Sequence, residues 1–155
     1  MAESNFFMRT GNVLIAGILR SPLHGLLSKS FMLVSVTGRK SGKVYTTPVN
    51  YHRAGEALRV ISIRSRTWWR NLRGEGAAAT LRLHGKDIRA WSRVIEDEQG
   101  VAKMLVEYLV QAPQAGRYFG VKPGSDGKLN EDDIRQAAKD KVIVEFRLQP
   151  PQDRS

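Results

Sequence analysis

Cysteine is absent from the 155 residues. That excludes a disulfide framework, thiolate ligation of zinc or an iron–sulfur cluster, and a cysteine nucleophile, and it is compatible with a reducing compartment, the cytoplasm being the expected location. Histidine is scarce: His24, His52 and His84 stand far apart, without HExxH or any other ligand spacing, so no metal site is expected. Acidic side chains are also short, 15 against 25 Lys and Arg, which leaves a net charge of +10 and an isoelectric point near 10.3. Long apolar runs are missing. The run from Val13 to Leu19, bounded by Arg9 and Arg20, is far shorter than the roughly 20 residues a spanning helix needs. Met1-Ala2-Glu3-Ser4 opens acidic, where a secretory leader would open basic. Hydrolytic signatures are lacking too: Ser41 and Ser62 lie outside a nucleophile elbow, and Asp126 to Asp133 lacks the ligand pattern of an EF-hand.

What remains is the composition of an ordinary globule, 41% apolar and 26% charged. A chain of this length should bury roughly 70% of its unfolded surface. One domain over residues 1–150 with a frayed tail at 151–155 is expected. Charge is uneven along it: residues 1–95 carry 16 basic and 4 acidic side chains, whereas residues 96–155 carry 9 and 11. The first two-thirds therefore attract an anionic ligand, without choosing among nucleotide-like, nucleic-acid and lipid anions. Asn5 to Leu19 reads as an amphipathic helix that either caps the core or lies on a membrane surface, because Phe6, Phe7 and Leu14 sit beside Arg9 and Arg20.

Period-2 patterns dominate the middle of the chain. Phe31 to Thr37, Val44 to His52 and Leu58 to Ile63 read as three consecutive antiparallel strands. Ala78 to Leu83 and Asp87 to Ile95 form a second pair around His84-Gly85-Lys86, and Val142 to Leu148 is the last strand. Helical stretches are expected at Thr67 to Arg73, Glu98 to Gln111 and Glu131 to Lys139. The second carries Val101, Met104, Leu105, Tyr108 and Leu109 as one stripe, and Glu96-Asp97-Glu98 suits its N-terminus. Pro48 inside a strand predicts an edge, a bulge or a place where a ligand replaces ladder hydrogen bonds. Six short strands with few helices suggest an α+β, mainly β barrel or sandwich.

Two segments carry binding chemistry. Gly38-Arg39-Lys40-Ser41-Gly42-Lys43 fails as a P-loop, having three residues between its glycines and Val44 after its lysine. As a hairpin tip it still offers backbone N–H groups among three cations, a cradle for an anion or simply a solvated turn. Thr67-Trp68-Trp69-Arg70-Asn71-Leu72 places two indoles about 100° apart on a short helix, so that one reaches the core while the other faces a cleft. With Arg64 and Arg66 beside them, they suit a planar anionic heterocycle or a nucleobase.

Leu33 to Lys43, then Thr46-Thr47-Pro48-Val49-Asn50-Tyr51, Val60-Ile61-Ser62 and Trp69-Arg70-Asn71-Leu72, resemble in order and spacing the deazaflavin-dependent nitroreductase family, a branch of the split β-barrel flavin and deazaflavin oxidoreductases. The resemblance covers about Phe31 to Ile95. It implies a six-stranded, FMN-binding-like split barrel with an N-terminal helix and two or three peripheral helices, and hydride transfer from reduced coenzyme F420 to a small electrophile such as a quinone, activated alkene or nitro compound. It further implies that Arg39, Lys40, Ser41 and Lys43, with Arg64 or Arg66, hold the phosphate and oligoglutamate tail. Thr47, Pro48 and Val49 would line the ring, with Ser62, Trp69 and Asn71 on the cofactor side. The loop Ile63-Arg64-Ser65-Arg66-Thr67 is shorter and less glycine-rich than the resemblance implies. FMN or haem on the same barrel therefore stays open, and a basic barrel for single-stranded nucleic acid is the alternative of another class. A homodimer, and membrane contact through the N-terminal helix, are the expected associations. Tyr51, Tyr108 and Tyr118 are proton-donor candidates by residue type alone.

Overall fold

The computed structural model describes residues 31–73, 76–124 and 126–149. The expected N-terminal helix and the tail at 151–155 lie outside these residues. Seven strands form one sheet: β1 (Phe31–Thr37), β2 (Val44–Asn50), β3 (His52–Ala54), β4 (Ala57–Ile63), β5 (Ala77–Leu83), β6 (Lys86–Ile95) and β7 (Lys141–Leu148), in the order β2-β1-β5-β6-β7-β4-β3. All pairings are antiparallel. The two edge strands are consecutive in the chain, separated only by Tyr51, so the sheet curls until its ends meet in one bent segment. This is the split barrel, with one strand more than expected, because Val44 to His52 is two strands rather than one.

The three early strands do not pair consecutively. β2 pairs along its whole length with β1, from Phe31 opposite Asn50 to Thr37 opposite Val44, whereas β3 pairs with β4 through His52, Arg53 and Ala54. Pro48 has no N–H to give to a second neighbour, which keeps this edge of β2 from zipping onto β4.

Alternation then builds the interior. Met32, Val34 and Val36 of β1 face inward with Leu58 and Val60 of β4, Leu81 of β5 and Val142, Val144 and Phe146 of β7, all essentially without exposure. The β5–β6 turn is His84-Gly85, both at positive φ (50° and 78°), the backbone a tight two-residue hairpin requires.

Helices cover part of the outer face. α1 (Glu98–Gln111) starts where Asp97 accepts a hydrogen bond from the Gly100 amide, 2.8 Å, and it buries Val101, Leu105 and Leu109. α2 (Glu131–Lys139) is capped by Asn130, which accepts from the Asp133 amide, and carries three acidic residues in its first turn. Between them lies a second cluster of Leu105, Leu109, Ala115, Val121, Ile134 and Ala137. A 3₁₀ segment, Pro113–Phe119, was not expected; it follows Pro113 at its start and ends at Gly120, φ 70°. Outside the sheet, Arg59 of β4 bridges Glu145 of β7 and Glu107 of α1.

Candidate functional site

The free edge of β2 and the stretch of β4 beyond its pairing with β3, Val60 to Ile63, face each other across a cleft of about 250 Å³, lined by Phe31, Pro48, Val49, Asn50, that stretch, Arg66 and Trp68. Two strand edges without a ladder between them present backbone N–H and C=O groups to whatever fills the space. The cleft thus exists because the barrel is split. Its end wall is the indole of Trp68, at the start of the 3₁₀ helix Trp68–Leu72. Trp68 Nε1 donates to Ser62 Oγ at 3.2 Å, and that hydroxyl donates on to the carbonyl of Ile63 at 3.3 Å. Ser62 is buried, so its hydroxyl orders the wall rather than meeting solvent.

Of the two tryptophans, Trp69 is the one in the core, with no exposure, and the cleft-facing one is Trp68. The guanidiniums of Arg70 and Arg73 lie 5.7 and 4.7 Å from the Trp69 ring centroid. Among the described residues the Trp69 N–H has no acceptor. Pro48, Val49 and Ser62 are brought together in the cleft. Thr47 is half-buried opposite Val34, on the interior face, and does not line it.

The arginines divide by what they already hold. Arg39 Nε donates to the carbonyl of Asn71 at 3.1 Å and its terminal nitrogen to the carbonyl of Arg73, while the Arg39 amide meets Asn71 Oδ1 at 3.3 Å. Arg39 and Asn71 therefore clasp the β1–β2 hairpin to the 3₁₀ helix. Arg64 donates to the carbonyls of Glu96, Lys139 and Lys141, at 2.7, 3.3 and 3.1 Å, and fastens the loop to β7 and the end of α2. Arg73 pairs with Glu96 at 2.8 Å. Lys40, Lys43 and Arg66 make no side-chain hydrogen bond or ion pair among the described residues. Of these cations, Arg66 is at the cleft. Ser41 takes the Lys43 amide at 3.2 Å and shares a hydrogen bond with the Tyr45 hydroxyl at 3.1 Å, shaping the tip beside Gly38, where a Cβ would come within 2.7 Å of the Tyr45 ring.

None of the three candidate tyrosines lines the cleft. Tyr51 is in the barrel interior, where burial pushes its phenol up, with Arg53 pulling the other way. Tyr108 stacks on His52 at 4.3 Å, and Tyr118 is exposed. No group of three His, Asp or Glu side chains among the described residues could hold a metal ion. No helix among them is long and apolar enough to cross a membrane.

Residues 20–118 match the model of the F420H(2)-dependent quinone reductase family. The chain belongs to that family. In coarse terms it is an F420-dependent oxidoreductase on a split barrel. A solved "FAD and heme binding protein" from Mycobacterium smegmatis is similar at 16% identity, with 84% of this chain and 67% of that one covered and a TM-score of 0.50. A conserved hypothetical protein from Mycobacterium tuberculosis matches at 12% identity, 87% and 80% coverage and a TM-score of 0.50. A chain described as an F420 reductase matches at 16% identity, 84% and 95% coverage and a TM-score of 0.44. At such identities the two likenesses at a TM-score of 0.50 speak to the fold alone. No curated protein sequence matches the chain.

Six residues that line the cleft are not among the expected site residues: Phe31, Asn50, Val60, Ile61, Ile63 and Trp68. Asn50 and Phe31 sit opposite one another on paired strands, which alternation signals only once the register is known. Trp68 was paired with Trp69 in one motif, and only packing separates them.

Proposed function

We propose that this protein transfers a hydride from reduced F420 to a small electrophilic acceptor, a quinone, an activated alkene or a nitro compound, with the deazaflavin ring in the cleft between β2 and β4. The observation that carries the reading is the unpaired gap itself, walled by the Ser62-anchored indole of Trp68 and floored by Pro48 and Val49. Exposed strand edges suit the amide-rich rim of a flat heterocycle, and an indole offers it a plane. When bound, the cofactor supplies the hydride.

The chain's own residues bind, orient and shield. Strand-edge backbone at Asn50 and along Val60 to Ile63 fixes the ring laterally. Phe31, Val49 and Trp68 exclude water from the reacting face, and a prealigned pair of reactants needs no acid/base dyad. Lys40, Lys43 and Arg66, whose charges are uncommitted, attract the phosphate and carboxylate tail, while Arg39, Arg64 and Asn71 hold the elements that present them. Ser41 acts on the hairpin's shape, and Trp69 on the core beneath it.

The test is a titration of the protein with F420, followed by cofactor fluorescence, beside a visible spectrum with FMN and with haem. Saturation with F420 in the low micromolar range supports the reading. Tight FMN or haem binding without F420 binding transfers the cleft to that ligand.

A further inference from the structure

The outer face of β5, β6 and β7 carries a tryptophan that the core does not use. Trp91 of β6 is 48% exposed, while its neighbours Ala90 and Ser92 turn into the barrel and are fully buried. Its indole fills the space that a Cβ would take at Gly76, so the ring is seated rather than swinging. Strand register surrounds it with guanidiniums. Arg89 and Arg93 stand two residues to either side on the same face, and Arg147 of β7 lies directly opposite.

Carboxylates do not cancel this charge. Glu145 is buried and takes Arg59 at 3.0 Å, with Arg93 at 3.4 Å and Arg147 at 3.9 Å further out and largely exposed. Glu107 is held by Arg59, and Asp87 by Arg82. Arg89 is exposed and makes no side-chain hydrogen bond or ion pair among the described residues. Arg59, Arg89, Arg93 and Arg147 therefore face only Glu107 and Glu145, four cations to two anions.

Beside the indole the sheet is hollow. Ser35, Ala78 and Thr80 floor a depression of about 210 Å³, bordered by Thr37, Val44 and Arg89, and Ala78 is the residue paired with Trp91. Ser35 shares a hydrogen bond with Thr46 at 2.9 Å and pairs with Thr80, which pairs with Arg89, so a row of hydroxyls ends at a guanidinium. None of these residues lines the cleft. A hydroxyl floor is costly to cover with a lipid tail, but it can hydrogen-bond a sugar or a phosphate.

We propose that this face binds single-stranded nucleic acid, with one base stacked on Trp91, its sugar over the Ser35 and Thr80 hydroxyls, and the flanking phosphates at Arg89, Arg93 and Arg147. An aromatic plane among cations stacks any base while the guanidiniums follow the backbone, so binding is tolerant of sequence. A duplex keeps its bases paired and offers Trp91 nothing to stack on.

The probe is a fluorescein-labelled oligothymidylate of about 12 nucleotides, titrated with the full chain and followed by anisotropy. Saturation with a Kd of roughly 10–100 μM is expected at low salt, and three phosphate contacts should give log K a slope of about −2 against log salt. Trp91→Ala should weaken binding about tenfold with the circular dichroism of the parent, and Trp91→Phe should recover part of the loss. Arg89→Gln together with Arg147→Gln should flatten the salt slope to about −0.7. An absence of saturation, or a folded Trp91→Ala protein that binds as tightly as the parent, overturns the proposal. A duplex of the same length bound as tightly as the single strand shows attraction of charge without stacking and overturns it too. Trp91-dependent uptake by phosphatidylcholine vesicles containing phosphatidylglycerol, with no oligonucleotide binding, would give the face to a membrane and overturn it as well.

Discussion

Removing Arg59 tests how the outer face of β4 is tied to the helix layer. Its guanidinium is 14% exposed, with Nε on Glu145 at 3.0 Å and a terminal nitrogen on Glu107 at 2.6 Å, and Glu145 is only 5% exposed. Burial opposes the charge on Arg59, but the hydrogen bonds and fields of the two carboxylates outweigh it and hold its pKa above the ordinary value. Arg59→Ala leaves Glu145 facing Arg93 and Arg147, 3.4 and 3.9 Å away and mostly exposed. A buried carboxylate with no cation in reach costs about 3–5 kcal/mol. With two mobile arginines able to close in, the expected loss is about 2–3 kcal/mol, read as a lower urea midpoint with an unchanged slope. In thermal unfolding the same loss should lower Tm by roughly 5–10 °C. Adding Glu145→Gln to Arg59→Ala should restore part of it, since the uncompensated charge is then gone. A single-variant loss under about 0.5 kcal/mol, or a double variant worse than the sum of its parts, would refute the reasoning.

Trp68→Phe keeps an aromatic plane but removes the N–H that meets Ser62; F420 affinity should fall about threefold to tenfold by fluorescence titration, with the melting temperature lowered by only about 2–4 °C. Lys40→Gln combined with Lys43→Gln should weaken F420 at low salt and scarcely at high salt, each exposed cation contributing about 0.2–1 kcal/mol, as titrations at two ionic strengths would read. His52 is driven down to about 4, first by burial and then by the neighbouring Arg59, from 6.5 when unfolded. The unfolded chain thus takes up a proton that the folded one refuses, and stability present above pH 6.5 is lost as pH falls toward 4. Allowing for solvent screening of a partly open ring, the loss is about 1–2 kcal/mol, and His52→Gln should flatten that part of a urea-midpoint profile. Gly38→Ala brings a Cβ within 2.8 Å of Ser41 Oγ and closer still to Tyr45, costing about 1–2 kcal/mol in chemical denaturation.

Local chemistry made much of this legible beforehand. Asp97 and Asn130 cap their helices, and the boundaries of Glu98–Gln111 and Glu131–Lys139 coincide with the pattern in the chain, because caps and apolar stripes act within one or two turns. The turn at His84-Gly85 and the anomaly at Pro48 are likewise local. The family resemblance rested on four short blocks, and residues 20–118 match the family model.

Partners distant in sequence were another matter. Arg39 and Arg64 read as anion ligands, and both turned out to be anchored to backbone carbonyls 32 to 77 positions away, which no pattern of residue types reveals. Strand identity was written in the alternation of side chains, a property of each segment alone. That β2 and β3 are the two edges of one curled sheet, that a gap therefore opens between β2 and β4, and that Trp68 rather than its neighbour walls it, followed from closing the barrel. Only that closure fixes which backbone groups are left without a ladder partner, and it is those groups that make the cleft.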